Sequence, residues 1–307
     1  MSRLNPQTPS QPLSIGNVVS TGVRLYRSHL KDYLKLSAIA NLWFLIPFLI
    51  IITLTAIMIL MGAGFNLFII IPIGLVLLIF GLVKFYSYSA IIARLAFVEI
   101  ADKPESVKMA TDNIMPRQWS FFNLAFLVGI YLFLLYFGFF IVGALVTGIM
   151  TGILIAVLGQ QFAIIVPFLL TSIVVLVVLF LLTWFFSRWF VAEMPLAIEE
   201  GMTANRSISR SWELTNKAVL RIQAIVLLAS LVSLPLLLIT SFLPSFFVGR
   251  LDPQTSLYWI TYGFSMILSS IGSALVLPFW QTTKAVLYYD LRSRQEGLGL
   301  KLRDHNI

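Results

Sequence analysis

Hydrophobic and polar positions along this chain separate into long blocks instead of alternating residue by residue. Four tracts, Leu36 to Val83, Gln118 to Ser187, Ile222 to Gly249 and Pro253 to Thr283, contain no Asp, Glu, Lys or Arg. A helix needs roughly 20 apolar residues to cross a bilayer, so each tract can cross at least once. The first two are long enough to cross twice, with breaks predicted at Gly62-Ala63-Gly64-Phe65-Asn66 and near Gly159-Gln160-Gln161. The other two cross once each, separated by Gly249-Arg250-Leu251-Asp252-Pro253. In lipid a segment must satisfy its own backbone polar groups, and these tracts lack the alternation of barrel strands, so the spans are helices. The predicted fold is all-α, a polytopic integral membrane helical bundle with six transmembrane helices.

Between the uncharged tracts the pattern changes to one-sided polarity at the helical period. At 100° per residue, Ile15, Val18, Val19, Gly22, Val23, Leu25, Tyr26 and Leu30 share one arc of the segment Ile15 to Lys31. Asn17, Ser20, Arg24, Arg27, Ser28 and Lys31 fill the opposite arc, and Ser14 is the predicted N-cap. Such a helix lies in the membrane interface with its basic face toward headgroups or water. Thr203 to Ala218 behaves likewise: Arg206, Arg210, Glu213 and Lys217 form one stripe, while Ala204, Ile208, Ser211, Leu214, Thr215 and Ala218 face the other way. Those small residues suit close packing on neighbouring helices. Glu105 to Ile114 is a shorter version, with Asp102 as its expected cap and Pro104 in the first turn.

The spans repeat as well. Arg94-Leu-Ala-Phe-Val-Glu99 has a counterpart in Arg188-Trp-Phe-Val-Ala-Glu193, Pro72 in Pro167, and Pro47 in Pro235. These offsets predict three pseudo-repeats of an amphipathic interfacial helix plus a helical hairpin, over about 14–101, 102–200 and 201–297. Each copy crosses twice, so the copies share one orientation and are related by rotation about the membrane normal. Residues 1–13, rich in Pro, Gln, Ser and Thr, read as a disordered tail, and 298–307 as a C-terminal tail. A cleavable signal peptide is not expected, because the first apolar tract is too long for a signal core.

Composition narrows the class further. The chain is 59% hydrophobic and only 11% charged, with a net charge of +8. A soluble domain carries about twice that charged share. All Lys and Arg except Arg250 lie in four patches, Arg3 to Lys35, Lys84 to Arg117, Arg188 to Arg221 and Lys284 to Arg303. Paired crossings put all four patches on one side, and the excess of basic residues in cytoplasmic loops makes that side cytoplasmic. Both termini are therefore expected in the cytoplasm, with a prokaryotic plasma (inner) membrane as the location. The basic balance is explained by topology, so no nucleic-acid partner is implied.

Catalytic chemistry finds few candidates. There are two His, His29 beside Arg27 and Lys31, and His305 in the tail, and no Cys. None of the 13 acidic residues lies in the uncharged tracts, which leaves no paired intramembrane carboxylates. No Gly-rich phosphate loop precedes a Lys-Ser or Lys-Thr pair. No metal and no cofactor are expected. The absence of intramembrane charge also argues against ion-coupled transport, whereas uncoupled passage could use Asn41, Thr53, Thr55, Asn66, Gln160 and Gln161; these residues also fit plain interhelical hydrogen bonds. Gly148-Ile-Met-Thr-Gly152 has the small-residue packing spacing beside a turn. Arg94, Glu99, Arg188 and Glu193 are expected as structural charge pairs at span ends, relieved by the neighbouring interfacial helices.

One string has a familiar order. Pro195-Leu-Ala-Ile-Glu199-Glu200-Gly201 is followed by Arg206-Ser-Ile-Ser-Arg210-Ser211-Trp212-Glu213-Leu214. Two landmarks accompany it: Leu13-Ser14-Ile15-Gly16 with Arg24-Leu25-Tyr26-Arg27, and Leu287-Tyr288-Tyr289-Asp290-Leu291-Arg292-Ser293-Arg294-Gln295-Glu296-Gly297. Together they resemble the membrane domain found with some bacterial glycerophosphoryl diester phosphodiesterases and in stand-alone proteins. What the resemblance implies is a membrane module without catalysis, since phosphodiesterase activity in such fusions belongs to a separate barrel of about 250 residues that has no counterpart in this sequence.

The basic stripes and the resemblance together lead to a non-catalytic module that engages membrane lipids, anionic ones in particular, in envelope or lipid homeostasis or as a scaffold. Its expected headgroup site is Arg24, Arg27, Arg206 and Arg210, joined by Arg292 and Arg294. The alternatives are an uncoupled transporter or channel-like passage for a lipid or small molecule, and an accessory subunit of a separate membrane or lipid enzyme.

Overall fold

A computed structural model describes residues 13–60 and 67–297. Eleven α-helices follow in chain order: α1 (Ile15–Ser28), α2 (Leu30–Leu60), α3 (Leu67–Ile100), α4 (Val107–Ile114), α5 (Gln118–Leu158), α6 (Ile165–Trp189), α7 (Glu193–Ile198), α8 (Ala204–Thr215), α9 (Val219–Leu237), α10 (Leu243–Val248) and α11 (Ser256–Glu296). Six stretches are long and apolar enough to cross a membrane: those of α2, α3, α4–α5, α6–α7, α9–α10 and α11. Among the described residues there is no strand. The chain is a polytopic all-α membrane protein in which a short amphipathic helix, α1, α4 or α8, precedes each pair of spans. The N-terminal tail, the first predicted hairpin break at 62–66 and the C-terminal tail lie outside the described residues.

The short helices start where side chains replace missing backbone partners. Ser14 Oγ accepts from the Asn17 N–H before α1, Ser106 Oγ from Met109 before α4, and Thr203 Oγ1 from Arg206 before α8. The cap of α4 is thus Ser106 and not Asp102. Asp102 adopts a positive φ of 60° and its N–H bonds to the Glu99 carbonyl, so it closes the end of α3. Each cap starts a helix whose apolar face then finds protein. Val18, Val19, Gly22 and Leu25 of α1 are buried, and a Cβ on Gly22 would come within 2.8 Å of Thr283 Oγ1 and 3.1 Å of its Cα. This close approach lays α1 on α11. On α8, Ala204, Ser207, Ile208, Ser211, Leu214 and Thr215 are buried, which is the predicted face with Ser207 added and without Ala218, which lies past the helix end, half-buried, at the cap of α9.

The second and third hairpin breaks fall where the sequence places them. Gly159, at φ 99°, ends α5, and a Cβ there would sit 2.6 Å from the Gln161 side chain; only glycine takes this turn without strain. The third break lies between α10 and α11. Pro47, Pro72, Pro235 and Pro278 are inside helices. Past Pro235 the backbone widens into a π-helical turn, Leu238–Phe242, as expected where a missing N–H disturbs the ladder.

The hairpins close into a ring. Helix α2 packs on α3, α3 on α11 and α5, α5 on α6, α6 on α9, and α9 on α11. The dense core sits at the charged end, where Ala90 to Ala93, Val191, Met194, Leu196 and Ala285 to Tyr289 are buried. Toward the other end the hairpins present exposed Ile, Leu, Val and Phe, as with Val157 and Ile164 at 75% and 84% exposure. Bilayer tails are the natural solvent for such a surface.

Candidate functional site

The described parts of the four basic patches meet at one end of the bundle, but the predicted arginine site is divided. Arg24 and Arg27 are exposed on α1, which packs on α11 and α9. Arg206 is exposed on α8, which packs on α5, α6 and α7. Arg210 is taken up by carboxylates: it pairs with Glu296, lies 3.6 Å from Glu199 and 3.7 Å from Glu213. Arg292 contacts Glu296 at 2.9 Å and Glu199 at 3.8 Å, and the Tyr288 hydroxyl donates to Glu199 at 2.5 Å. Burial works against the charge of Arg210, but Glu199 and Glu296 outweigh it and hold the guanidinium above its ordinary range. The adjoining cleft of about 380 Å³ has Glu199 and Glu213 beside Arg206 and Arg210. With both signs balanced, the cleft is no trap for anions.

Arg210 and Arg206 are therefore expected to differ on substitution. Arg210→Ala leaves Glu199 and Glu296 short of a donor and should cost about 1–3 kcal/mol of stability, while Arg206→Ala should change it by less than about 0.5 kcal/mol. Thermal unfolding of the detergent-solubilised protein measures both. Equal effects would contradict the assigned network.

Arg94 and Glu99 do not pair with each other, nor do Arg188 and Glu193. Arg94 holds Glu105 in a two-pronged contact at 2.8 and 2.6 Å and donates to the Ala197 carbonyl at 2.7 Å, joining repeat one to the end of α7. Glu99 faces His29 at 3.7 Å. Glu193 takes the Lys284 ammonium at 3.0 Å. Arg188 is 4% exposed and, among the described residues, has no carboxylate within ion-pair distance. Its guanidinium stacks 4.0 Å from the Trp212 ring and 5.4 Å from Trp184, an attraction that grows when water is excluded. Its carbonyl accepts from Ser211 at 2.8 Å. Interfacial segments thus meet Arg94, Glu99 and Arg188, whereas Glu193 is met by Lys284 of the last span.

A cavity of about 530 Å³ lies between the three hairpins. Helix α2 gives Asn41 and Phe44, α3 gives Leu82, Phe85 and Tyr86, α6 and its end give Phe186 and Phe190, α9 gives Leu237, and α11 gives Ser273, Val276, Leu277, Trp280, Gln281 and Lys284. The wall is mainly aromatic and aliphatic, with a polar corner toward the charged end where Gln281 and Lys284 enter. Its size falls in the usual range for small-molecule sites.

Of the polar residues weighed for passage, Asn41 lines this cavity; its Nδ2 donates to the Ser37 carbonyl at 2.9 Å. Thr53 and Thr55 donate to carbonyls of their own helix, Gln160 and Gln161 lie at the hairpin turn, and Asn66 is outside the described residues. Gly148 and Gly152 have nothing within 4 Å of an added Cβ, so they mediate no packing within the chain. Tyr86, Gln281 and Lys284 carry the polar side of the cavity and had no local signal beyond their place at the edge of uncharged tracts. Comparison with protein-family models, curated proteins and solved structures finds no match.

Proposed function

We propose that this chain is a non-catalytic membrane module that takes one chain of a lipid-like amphiphile into the cavity between its hairpins. A single observation carries the reading: a cavity of about 530 Å³ between the apolar spans, with mainly aromatic and aliphatic walls and its one charged lining residue, Lys284, at the charged end. An apolar tail gains by leaving no surface against water or polar groups, and the few polar groups orient it. The likeness of 195–214 to a membrane domain that accompanies phosphodiesterases of glycerophosphoryl compounds supports a lipid-related role. Arg210 and Arg292 are engaged by Glu199 and Glu296, which favours the cavity over the arginine stripes as the site and gives these two a part in holding the bundle together.

The test is retention of amphiphile by purified protein. Native mass spectrometry in a mild detergent should find a lipid-like adduct on the wild type, and Ser273→Trp, which fills the cavity, should remove it. Equal adducts on both, or none on either after supplying a panel of lipids, would sink the reading. We also propose that the charged end faces the cytoplasm of a prokaryotic cell, supported by the excess of Lys and Arg there. Reporter fusions after Ile307 and within 249–253 should then report opposite sides. The same side for both would refute the topology.

A further inference from the structure

The polar corner of the cavity has an unbalanced set of hydrogen-bonding groups, and that imbalance specifies a headgroup. Lys284 lines the cavity, and its ammonium is already matched by Glu193 at 3.0 Å. Gln281, also on the wall, is 2% exposed and donates through Nε2 to the Ser89 hydroxyl. On the cavity wall one buried oxygen remains without a hydrogen-bond partner, Gln281 Oε1; Glu193 Oε1, which is not on the wall, is also unpaired. A buried polar atom without a partner is costly, and a group that completes the Gln281 oxygen must be a donor.

We infer that the headgroup placed at Gln281 is neutral and bears hydroxyl groups, as in a monoacylglycerol. The inference rests on the reading of the cavity as an amphiphile site. An anionic head gains little here, because the Lys284 charge is already matched by Glu193 and the head would bring a second, unmatched negative charge into a low-dielectric setting. A hydroxyl has the needed donor and leaves the ion pair intact. Turned over, the Gln281 carboxamide would accept from Ser89 and offer an N–H in place of its oxygen, and a hydroxyl, which both donates and accepts, completes either arrangement. The dimensions agree with one chain above that head. From Lys284 back to Ser273 the cavity follows three turns of α11, roughly 16 Å at 1.5 Å per residue, and Leu237, Val276 and Leu277 line its far part together with Ser273.

The experiment compares three probes of equal chain length on the full-length protein in mild detergent by competition native mass spectrometry: a monoacylglycerol, the same molecule with both hydroxyls methylated, and the free fatty acid anion. The monoacylglycerol is expected to bind about tenfold or more tightly than the methyl ether, the factor for one buried donor lost, and more tightly than the fatty acid. Gln281→Met should erase the preference by weakening only the monoacylglycerol. If all three bind the wild type alike, or the fatty acid binds best, the headgroup inference is overturned while the cavity reading stands. If none binds, the cavity reading itself fails and the inference with it. The probe comparison on the wild type decides the matter even if Gln281→Met does not fold.

Discussion

Replacing Asp290 by alanine is expected to lower the stability of the detergent-solubilised protein by about 3–5 kcal/mol, the range for breaking a buried charged pair by removing one partner. Asp290 is 3% exposed near the end of α11. Its Oδ1 accepts from the Leu13 N–H at 2.9 Å, and its Oδ2 accepts from Arg221 at 2.8 Å and Arg294 at 2.9 Å. Both arginines also donate to the Leu13 carbonyl, at 2.6 and 2.9 Å. One carboxylate thus fastens the start of repeat one, the first turn of α9 and the exit of the last span. Removing it leaves two guanidiniums facing each other and frees the backbone of Leu13 on the N–H side. Asp290→Asn, which keeps one acceptor but no charge, should fall between the two. Midpoints of thermal unfolding followed by tryptophan fluorescence would measure the series, and an Asp290→Ala protein as stable as wild type would contradict the clamp.

That clamp also shows where sequence reading ends. The six spans were legible because charge is so costly in a bilayer that its absence over long tracts leaves few alternatives. Faces of α1 and α8 were legible because a 3.6-residue period sorts side chains locally. Ser14 could be recognised as a cap from its neighbours, whereas Ser106 was passed over for Asp102, since both precede the same short helix and only the backbone turn at Asp102 separates them. Partners were not legible. The stripe of Arg206 and Arg210 reads as an anion site until Glu199 and Glu296 arrive from a loop and from α11, and nothing local to α8 announces them. Gln281 and Lys284 look like the fringe of an apolar tract; their role depends on Ser89 and Glu193, which other repeats supply. The cavity is a gap between hairpins, and no segment encodes it by itself.

A second large effect is expected where α11 crosses the π-helical turn. Gly272 lies so close to Thr240 that an added Cβ would meet its Oγ1 at 2.0 Å and its Cβ at 2.7 Å. Thr240 is 4% exposed and cannot swing away freely: its hydroxyl donates to the Leu236 carbonyl at 2.8 Å, and Ser269 donates to its own carbonyl at 3.2 Å. In membranes, where helix association depends on close van der Waals contact, such a crossing has little slack. Gly272→Ala should therefore cost about 1–3 kcal/mol despite its favourable helix propensity, and Gly272→Leu should part α11 from the turn and lower the yield of folded protein. Thr240→Gly alone removes side-chain packing and weakens the turn, but in the double variant the added methyl occupies the space that the threonine left. The two losses should then fall short of additive by about 1 kcal/mol or more, as for residues in direct contact. Strict additivity in the same unfolding measurement would mean that α11 and the π-helical turn do not touch at this point. Because Leu237 precedes that turn and lines the cavity, Gly272→Leu should also weaken retention of the amphiphile, while Gly148→Leu, a change at an open position on α5, should leave both stability and retention near wild type.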